Sequence, residues 1–204
     1  MSQPAIQTVI FDLGGVLIDW NPRHLYRKIF EEEQAMEDFL ANICTGDWNE
    51  QQDAGRSLAE ATQLLVDRHP AYESQIRAFY GRWIEMLGGP IPGTVDILQD
   101  IKTKGIHRLY ALTNWSAETF PHAIERYDFL QWFEGILVSG VEMMKKPDPR
   151  IYQLILERYQ IDPATALFID DSQRNVDAAI REGIASIRFE SPEQLREALD
   201  GYGI

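Results

Sequence analysis

Three stretches of the chain place acids and a base where chemistry could use them: FDLGGVL at 11–17, MMKKPDP at 143–149 and FIDDS at 168–172. Asp12 ends an apolar run, and the two glycines after Leu13 let the backbone wrap closely and turn N–H groups toward an anion. Alone, Asp12 reads more readily as a carboxylate capping a turn. Asp170 and Asp171 together are more acid than a helix N-terminus requires, and adjacent carboxylates repel. A divalent cation relieves that repulsion, and hard oxygen ligands favour Mg²⁺. Thr113 and Asn114, at the end of LYALTN, offer a hydroxyl and an amide, and Lys146 offers an ammonium. Each also has a plain structural reading, as a strand end or a solvated lysine. A carboxylate nucleophile, polar donors, one ammonium and a metal are jointly the parts of a phosphoryl-transfer site.

The elements that must hold these groups follow from hydrophobic periodicity. After Gly88-Gly89-Pro90 the chain alternates helices with short apolar strands, the pattern of a parallel α/β sheet. Strands are expected at the run ending in Asp12, at 108–114, 135–139 and 166–170, and from Ile184 to Phe189. Thr94 is expected to cap a helix that buries Ile97, Leu98 and Ile101 and stops at Gly105. A helical stretch at 117–129 follows. Asp148 and Pro149 open another helix. Val176, Ala179 and Ile180 should face inward on a helix ended by Gly183, and Ser191, Pro192 and Gln194 form a capping box for the last one. Ligands bind such sheets outside the carboxyl ends of the strands. Asp12, Thr113, Lys146 and the Asp170-Asp171 pair all follow strands at that edge, so they should converge.

Between the first strand and about residue 90 the periodicity changes. From Asn21 to Leu87 the chain reads as helices only, at Pro22–Phe30, Glu33–Ile43, Leu58–Arg68 and Tyr72–Met86, with polar breaks such as Cys44–Arg56. The change marks an insertion.

With 45% hydrophobic and 11% aromatic residues in 204, the chain is expected to fold as a soluble globule, either one core-bearing domain or one domain with an inserted lobe. A formal charge of −13 argues against nucleic acid or an anionic membrane surface as a partner. The N-terminal stretch has no basic segment followed by a long apolar core, and no apolar run approaches the ~20 residues of a membrane span, so a cytoplasmic location is expected. The single Cys44 reads as a small buried apolar residue.

Four stretches, in order, resemble the motifs of the haloacid dehalogenase superfamily, which consists mostly of phosphatases: VIFDLGGVL, LYALTN, KKPDPRIY and LFIDDSQRN, within about residues 6–190. The resemblance implies a Rossmann-like parallel sheet with helices on both faces, its core formed by residues 1–18 and 89–204. Residues 19–88 become a helical cap that selects the substrate. It makes Asp12 the nucleophile that forms a phospho-aspartate, and Thr113 and Lys146 its catalytic partners. Backbone N–H groups near Leu13 and Gly14, with Asn114, would hold the phosphoryl group. Mg²⁺ would sit between Asp12, the Gly14 carbonyl and Asp171, with Asp170 as ligand or support. The partner would be a small phosphorylated metabolite, and the enzyme a monomer or homodimer.

One position departs from the pattern. Phosphatases of this superfamily carry a second Asp two residues after the nucleophile, as the acid for the leaving oxygen; here it is Gly14. General acid–base help is typically worth ~10²–10⁴-fold, and its loss weighs most on poorly acidic leaving alcohols. The Asp-x-Gly pattern resembles a subgroup that includes sugar-1-phosphate phosphatases. Three readings follow: a phosphatase using a good leaving group or a proton relay from the cap, a metal-independent 2-haloacid dehalogenase, or a metabolite-binding regulator. The Asp170-Asp171 pair disfavours the dehalogenase, whose relatives carry Ser and Asn there. Trp20, Arg23, His24, Asp47, Trp48, Asp53 and Arg56 could reach a substrate from the cap, with Asp47 and Asp53 as substitute proton donors.

Overall fold

In the computed structural model, which describes residues 5–204, the apolar runs lie side by side in a five-stranded sheet. The first four residues of the expected core lie outside the described residues. The strands, in chain order, are β1 (Thr8–Phe11), β2 (Ile18–Trp20), β3 (Leu87–Pro90), β4 (Arg108–Thr113), β5 (Gly135–Val138), β6 (Ala166–Asp170) and β7 (Ala185–Arg188). The large sheet runs β5-β4-β1-β6-β7, every neighbouring pair parallel. The helices are α1 (Arg23–Tyr26), α2 (Glu33–Asn42), α3 (Gly46–Asp53), α4 (Leu58–Arg68), α5 (Glu73–Gly81), α6 (Pro92–Lys104), α7 (Phe120–Arg126), α8 (Ser139–Glu142), α9 (Pro149–Tyr159), α10 (Gln173–Arg181) and α11 (Pro192–Asp200).

The two-residue repeat of the strands sorts their side chains between two cores. Val9, Phe11, Leu109, Ala111, Leu167 and Ile169 join the face covered by Ile97 and Leu98 of α6 and Leu195 and Leu199 of α11. Ile10, Tyr110, Leu112 and Phe168 meet Ile151, Tyr152 and Ile155 of α9 and Ala178 and Ala179 of α10. Burial on both faces is why these strands read as continuous apolar runs. The result is a Rossmann-like α/β sandwich. No described helix is long and apolar enough to cross a membrane.

Helices α1–α5 are inserted between β2 and β3. Tyr26, Phe39, Trp48 and Phe79 pack there with ring centroids 5.0–6.2 Å apart, and their cluster is continuous with one face of the large sheet. Cys44 is buried as expected, and burial pushes its thiol up to about 12.

Several local expectations need correction. Residues 44–56 are not a break: Thr45 accepts a hydrogen bond from the Trp48 N–H and starts α3. The segment around the insertion is not helices only, because β2 and β3 pair as an antiparallel stem. Gly88 belongs to that stem because a Cβ there would stand 2.0 Å from Asp19 Oδ2. The Pro22–Phe30 helix shrinks to α1, and the last turn of the Tyr72–Met86 helix, Trp83–Met86, is 3₁₀. The 117–129 stretch keeps its α-helix only at α7 and continues as 3₁₀ over Asp128–Trp132. Thr94 does not cap α6, because Pro92 starts that helix two residues earlier and Thr94 is buried in its first turn. Ile180 is 53% exposed, since the buried stripe of α10 is turned toward Asn175 and Ala178. The Asp148-Pro149 and Ser191-Pro192 helix starts form as expected, although Gln194 accepts from Glu190 N–H rather than from the cap residue itself.

Candidate active site

Asp12 leaves the end of β1, the central strand, with its side chain 90% shielded from solvent. Its Oδ1 accepts the Leu13 N–H at 2.7 Å, and its Oδ2 lies 2.9 Å from Lys146 Nζ. Lys146 is fully buried, and its ammonium also donates to Asp170 Oδ2 at 2.7 Å and to the Leu112 carbonyl at 2.9 Å. A buried ammonium persists only when paired and hydrogen-bonded, and all three of its N–H bonds are met here. Burial opposes the charge on Lys146, but Asp12 and Asp170 outweigh it and hold its pKa above the ordinary value. Asp170 is fixed in turn: Ser172 N–H and the Asn175 amide donate to its carboxylate.

Asp171 lies one residue beyond β6, turned to the opposite side from Asp170 as strand alternation requires, and faces Gly15. One carboxylate oxygen each from Asp12, Asp170 and Asp171 can be chosen so that all three lie within 4.8 Å of one another. Gly15 has φ +77°, and a Cβ on it would stand 2.6 Å from Asp171 Oδ2. That close approach is a cradle only glycine allows. Burial, partly countered by Lys146 and reinforced by Asp170 and Asp171, pushes Asp12 up to about 8. Asp171 is raised as well, by desolvation and then by Asp170. Asp12 and Asp171, which both resist ionisation, are what a divalent cation would hold as carboxylates, and the donor set, all oxygen, fits a hard cation. The Thr113 hydroxyl, at the end of β4, is buried without a partner among the described residues. It is a hydroxyl available to a ligand oxygen.

Above this cluster lies a cavity of about 400 Å³. Asp12, Gly14, Gly15, Asn114 and Asp171 form its floor, while Asn49, Glu50 and Asp53 of α3, with Tyr80 and Trp83, close it from the insertion. Glu50 bridges to Lys145 and Arg174, so α3 is clasped to the sheet side by charge.

A sequence profile of haloacid dehalogenase-like hydrolases matches residues 6–183. The chain belongs to that family. This haloacid dehalogenase-like hydrolase is 27% identical over 183 residues to a sesquiterpene phosphatase of Aspergillus oryzae, covering 90% of this chain and 89% of the relative. It is 28% identical over 186 residues to a phosphorylated carbohydrates phosphatase of Thermotoga maritima, covering 89% and 84%. Its fold resembles a wild-type haloacid dehalogenase family enzyme of Bacteroides thetaiotaomicron, solved in complex with magnesium and inorganic phosphate. That match has 25% identity and a TM-score of 0.68 over 92% of this chain and 96% of that one.

The fold of this hydrolase thus brings Asp12, Lys146, Asp170 and Asp171 together, with Gly14 and Asn114 lining the same cavity. Asn114 does a different task from the one expected of it: its amide donates to the Lys146 carbonyl and accepts the Lys146 N–H, so it positions the lysine. The Leu13 N–H is directed at Asp12 rather than at the cavity. Trp20 lines the cavity, whereas Arg23 is held by both oxygens of Glu37 and Trp48 is buried against Phe79 and Tyr80. Neither Arg23 nor Trp48 reaches the cavity, and Asp47, His24 and Arg56 are likewise outside its lining; Asp53 is inside it. Sequence reasoning missed Asn175 and Glu50. Asn175 carried a signal, a polar residue on the inward face of its helix, and Gly15, read only as part of a close backbone wrap, makes the room that Asp171 occupies. Glu50 carried none, because its partners lie far along the chain.

Proposed function

We propose that this hydrolase is a magnesium-dependent phosphatase of small phosphorylated metabolites, with residues 19–88 as the cap over a catalytic core of residues 1–18 and 89–204. The observation that carries the reading is Lys146 Nζ, shared between Asp12 and Asp170 beside the carboxylate of Asp171. The names of the phosphatase relatives and the magnesium and phosphate of the Bacteroides enzyme support it.

In this reading Asp12 attacks phosphorus, the ester bond breaks, and water then hydrolyses the phospho-aspartate. Lys146 opposes the effect of burial on Asp12 and faces the charge on the phosphoryl oxygens. Thr113 turns its free hydroxyl to one of those oxygens. Asp170, Asn114 and Asn175 fix Lys146 and one another, so the ammonium need not reorganise during the reaction. Asp12, Asp171 and the Gly14 carbonyl, with Asp170 in support, would hold magnesium, which when bound would neutralise the carboxylates and supply a Lewis acid for the phosphoryl group. The loop itself has no acid at Gly14 to protonate the leaving oxygen. Esters with an acidic leaving group, sugar 1-phosphates among them, are therefore the favoured substrates of the loop alone.

Hydrolysis of p-nitrophenyl phosphate, followed by a panel of sugar 1-phosphates, sugar 6-phosphates and acyl phosphates, tests this. Turnover should require Mg²⁺, stop reversibly with EDTA and vanish in Asp12→Asn. Metal-independent chloride release from 2-chloropropionate, with no phosphate release, would overturn it.

A further inference from the structure

A departing alkoxide needs a proton, and at position 14 there is no side chain to give one. The space is there: a Cβ on Gly14 would meet nothing within 4 Å. The proton must then come from elsewhere in the cavity. Apart from Asp12 and Asp171, the carboxyl groups lining it are Glu50 and Asp53, both on α3. We propose that Asp53 is the catalytic acid and base of this site, supplied by the insertion in place of a carboxyl on the nucleophile loop. The proposal rests on the phosphatase reading above.

Asp53 belongs to the insertion but is registered on the sheet side. Its main-chain carbonyl accepts the hydroxyl of Ser139 at 2.5 Å, and that buried hydroxyl oxygen in turn accepts the Trp115 N–H at 2.9 Å. Its Oδ2 takes a hydrogen bond from the Asn49 amide at 3.1 Å, and the Ser116 backbone N–H acts on the carboxylate to favour its charge. Asn114, Trp115 and Ser116 follow Thr113 and line the cavity. The carboxyl is therefore placed by the same loop that carries the Thr113 hydroxyl and the Asn114 support of Lys146.

The two acids of α3 that line the cavity are pushed apart. Burial opposes charge on Glu50, but hydrogen bonds from Lys145 and Arg174 overcome it and keep its pKa below the ordinary value, so Glu50 has no proton to give. Burial, and then the charge of Glu50, raise Asp53 to about 7; Lys145 and the Ser116 N–H oppose the rise without cancelling it. Tyr80, which reaches Asp53 only through Asn49, is raised by burial and stays neutral. A pair of carboxyls with separated affinities is how one site holds both a fixed charge and a mobile proton.

In the first step an Asp12 oxygen bonds to phosphorus and the ester P–O bond breaks, its electron pair staying on the leaving oxygen. The Asp53 proton passes to that oxygen. In the second step water bonds to phosphorus and the P–O bond to Asp12 breaks, its pair returning to the carboxylate. Asp53 takes the water proton and regains its starting state.

Asp53→Asn, assayed in Mg²⁺ on an alkyl phosphate and on p-nitrophenyl phosphate, tests the assignment. The expected result is a loss of about 10²–10⁴-fold in kcat/KM for the alkyl ester, with kcat/KM for p-nitrophenyl phosphate retained because its leaving group needs no proton, while kcat falls on both because both phospho-enzymes need the Asp53 base. The retained activity also reports that the variant folds. Wild-type kcat/KM for the alkyl ester should fall as pH rises through about 7, and that limb should be missing in the variant. Equal losses of kcat/KM on both substrates, no loss on either, or a persisting limb would overturn the role of Asp53 and leave the phosphatase standing. A wild-type chain inert toward both substrates would overturn both readings.

Discussion

Lys146 Nζ lies 2.7 Å from Asp170 Oδ2, and neither side chain is exposed to solvent at all. Asp170 is the acid of the pair that faces inward, so it holds the lysine while Asp171 faces the cavity. Removing one partner from a buried ion pair leaves an uncompensated charge. Lys146→Met should abolish turnover and lower the unfolding free energy by about 3–5 kcal/mol in urea titrations near neutral pH. Asp170→Asn should cost less, since Lys146 keeps Asp12 and the Leu112 carbonyl.

Gly15 and Gly14 should respond in opposite ways to a methyl group. Gly15→Ala meets Asp171 Oδ2 and a left-handed backbone, which costs about 1–2 kcal/mol for an L-residue. It should unfold at lower temperature and need more Mg²⁺ for half-maximal activity. Gly14→Ala enters open space and should change stability by no more than about 0.5 kcal/mol. Thermal unfolding and Mg²⁺ titration of the two variants side by side check the contrast.

Asp53 should also be visible in stability against pH. The unfolded chain ionises this carboxyl near its ordinary 3.8, whereas the folded one keeps its proton up to about 7. The native state binds the extra proton between those values, so this group makes stability fall as pH rises through that window. Asp53→Asn, which cannot ionise, should melt above wild type at pH 8 and lose that advantage below pH 4. A melting difference independent of pH would contradict the shift.

Metal binding should be measurable without turnover. A ligand that binds only the folded state adds about 2.7 kcal/mol at 100 times its Kd. Mg²⁺ should therefore raise the melting temperature of the wild type. In Asp171→Asn this gain should disappear, while the metal-free variant should be no less stable than wild type because one of three crowded carboxylates is gone.

Two kinds of information separate along this chain. Strand runs, glycine stops and proline starts are local, and the expected strands and most helices lie where the sequence puts them. The Ser191-Pro192 start of α11 and the Gly105 end of α6 show why: cap and helix are within a few residues of each other. α3 was missed although its Thr45 cap is local, whereas the other missed element depends on a distant partner. The β2–β3 stem pairs residues 18–20 with 87–90, and no periodicity within either segment announces it.

From the sequence alone came the parallel sheet, the strand-end edge expected to hold the site, and Asp12, Lys146 and the two acids on it, because strands and strand ends follow from local runs. The surroundings of each side chain were decided only in three dimensions. Arg23 meets Glu37, Glu50 meets Arg174 and Ser139 meets Asp53 across 14, 124 and 86 residues. Those contacts turned Arg23 and Trp48 away from the cavity and brought Asp53 into it. A residue's type sets which bonds and charges it can offer, but which neighbours desolvate it, pair with it or take its proton depends on contacts that exist only after the chain has folded.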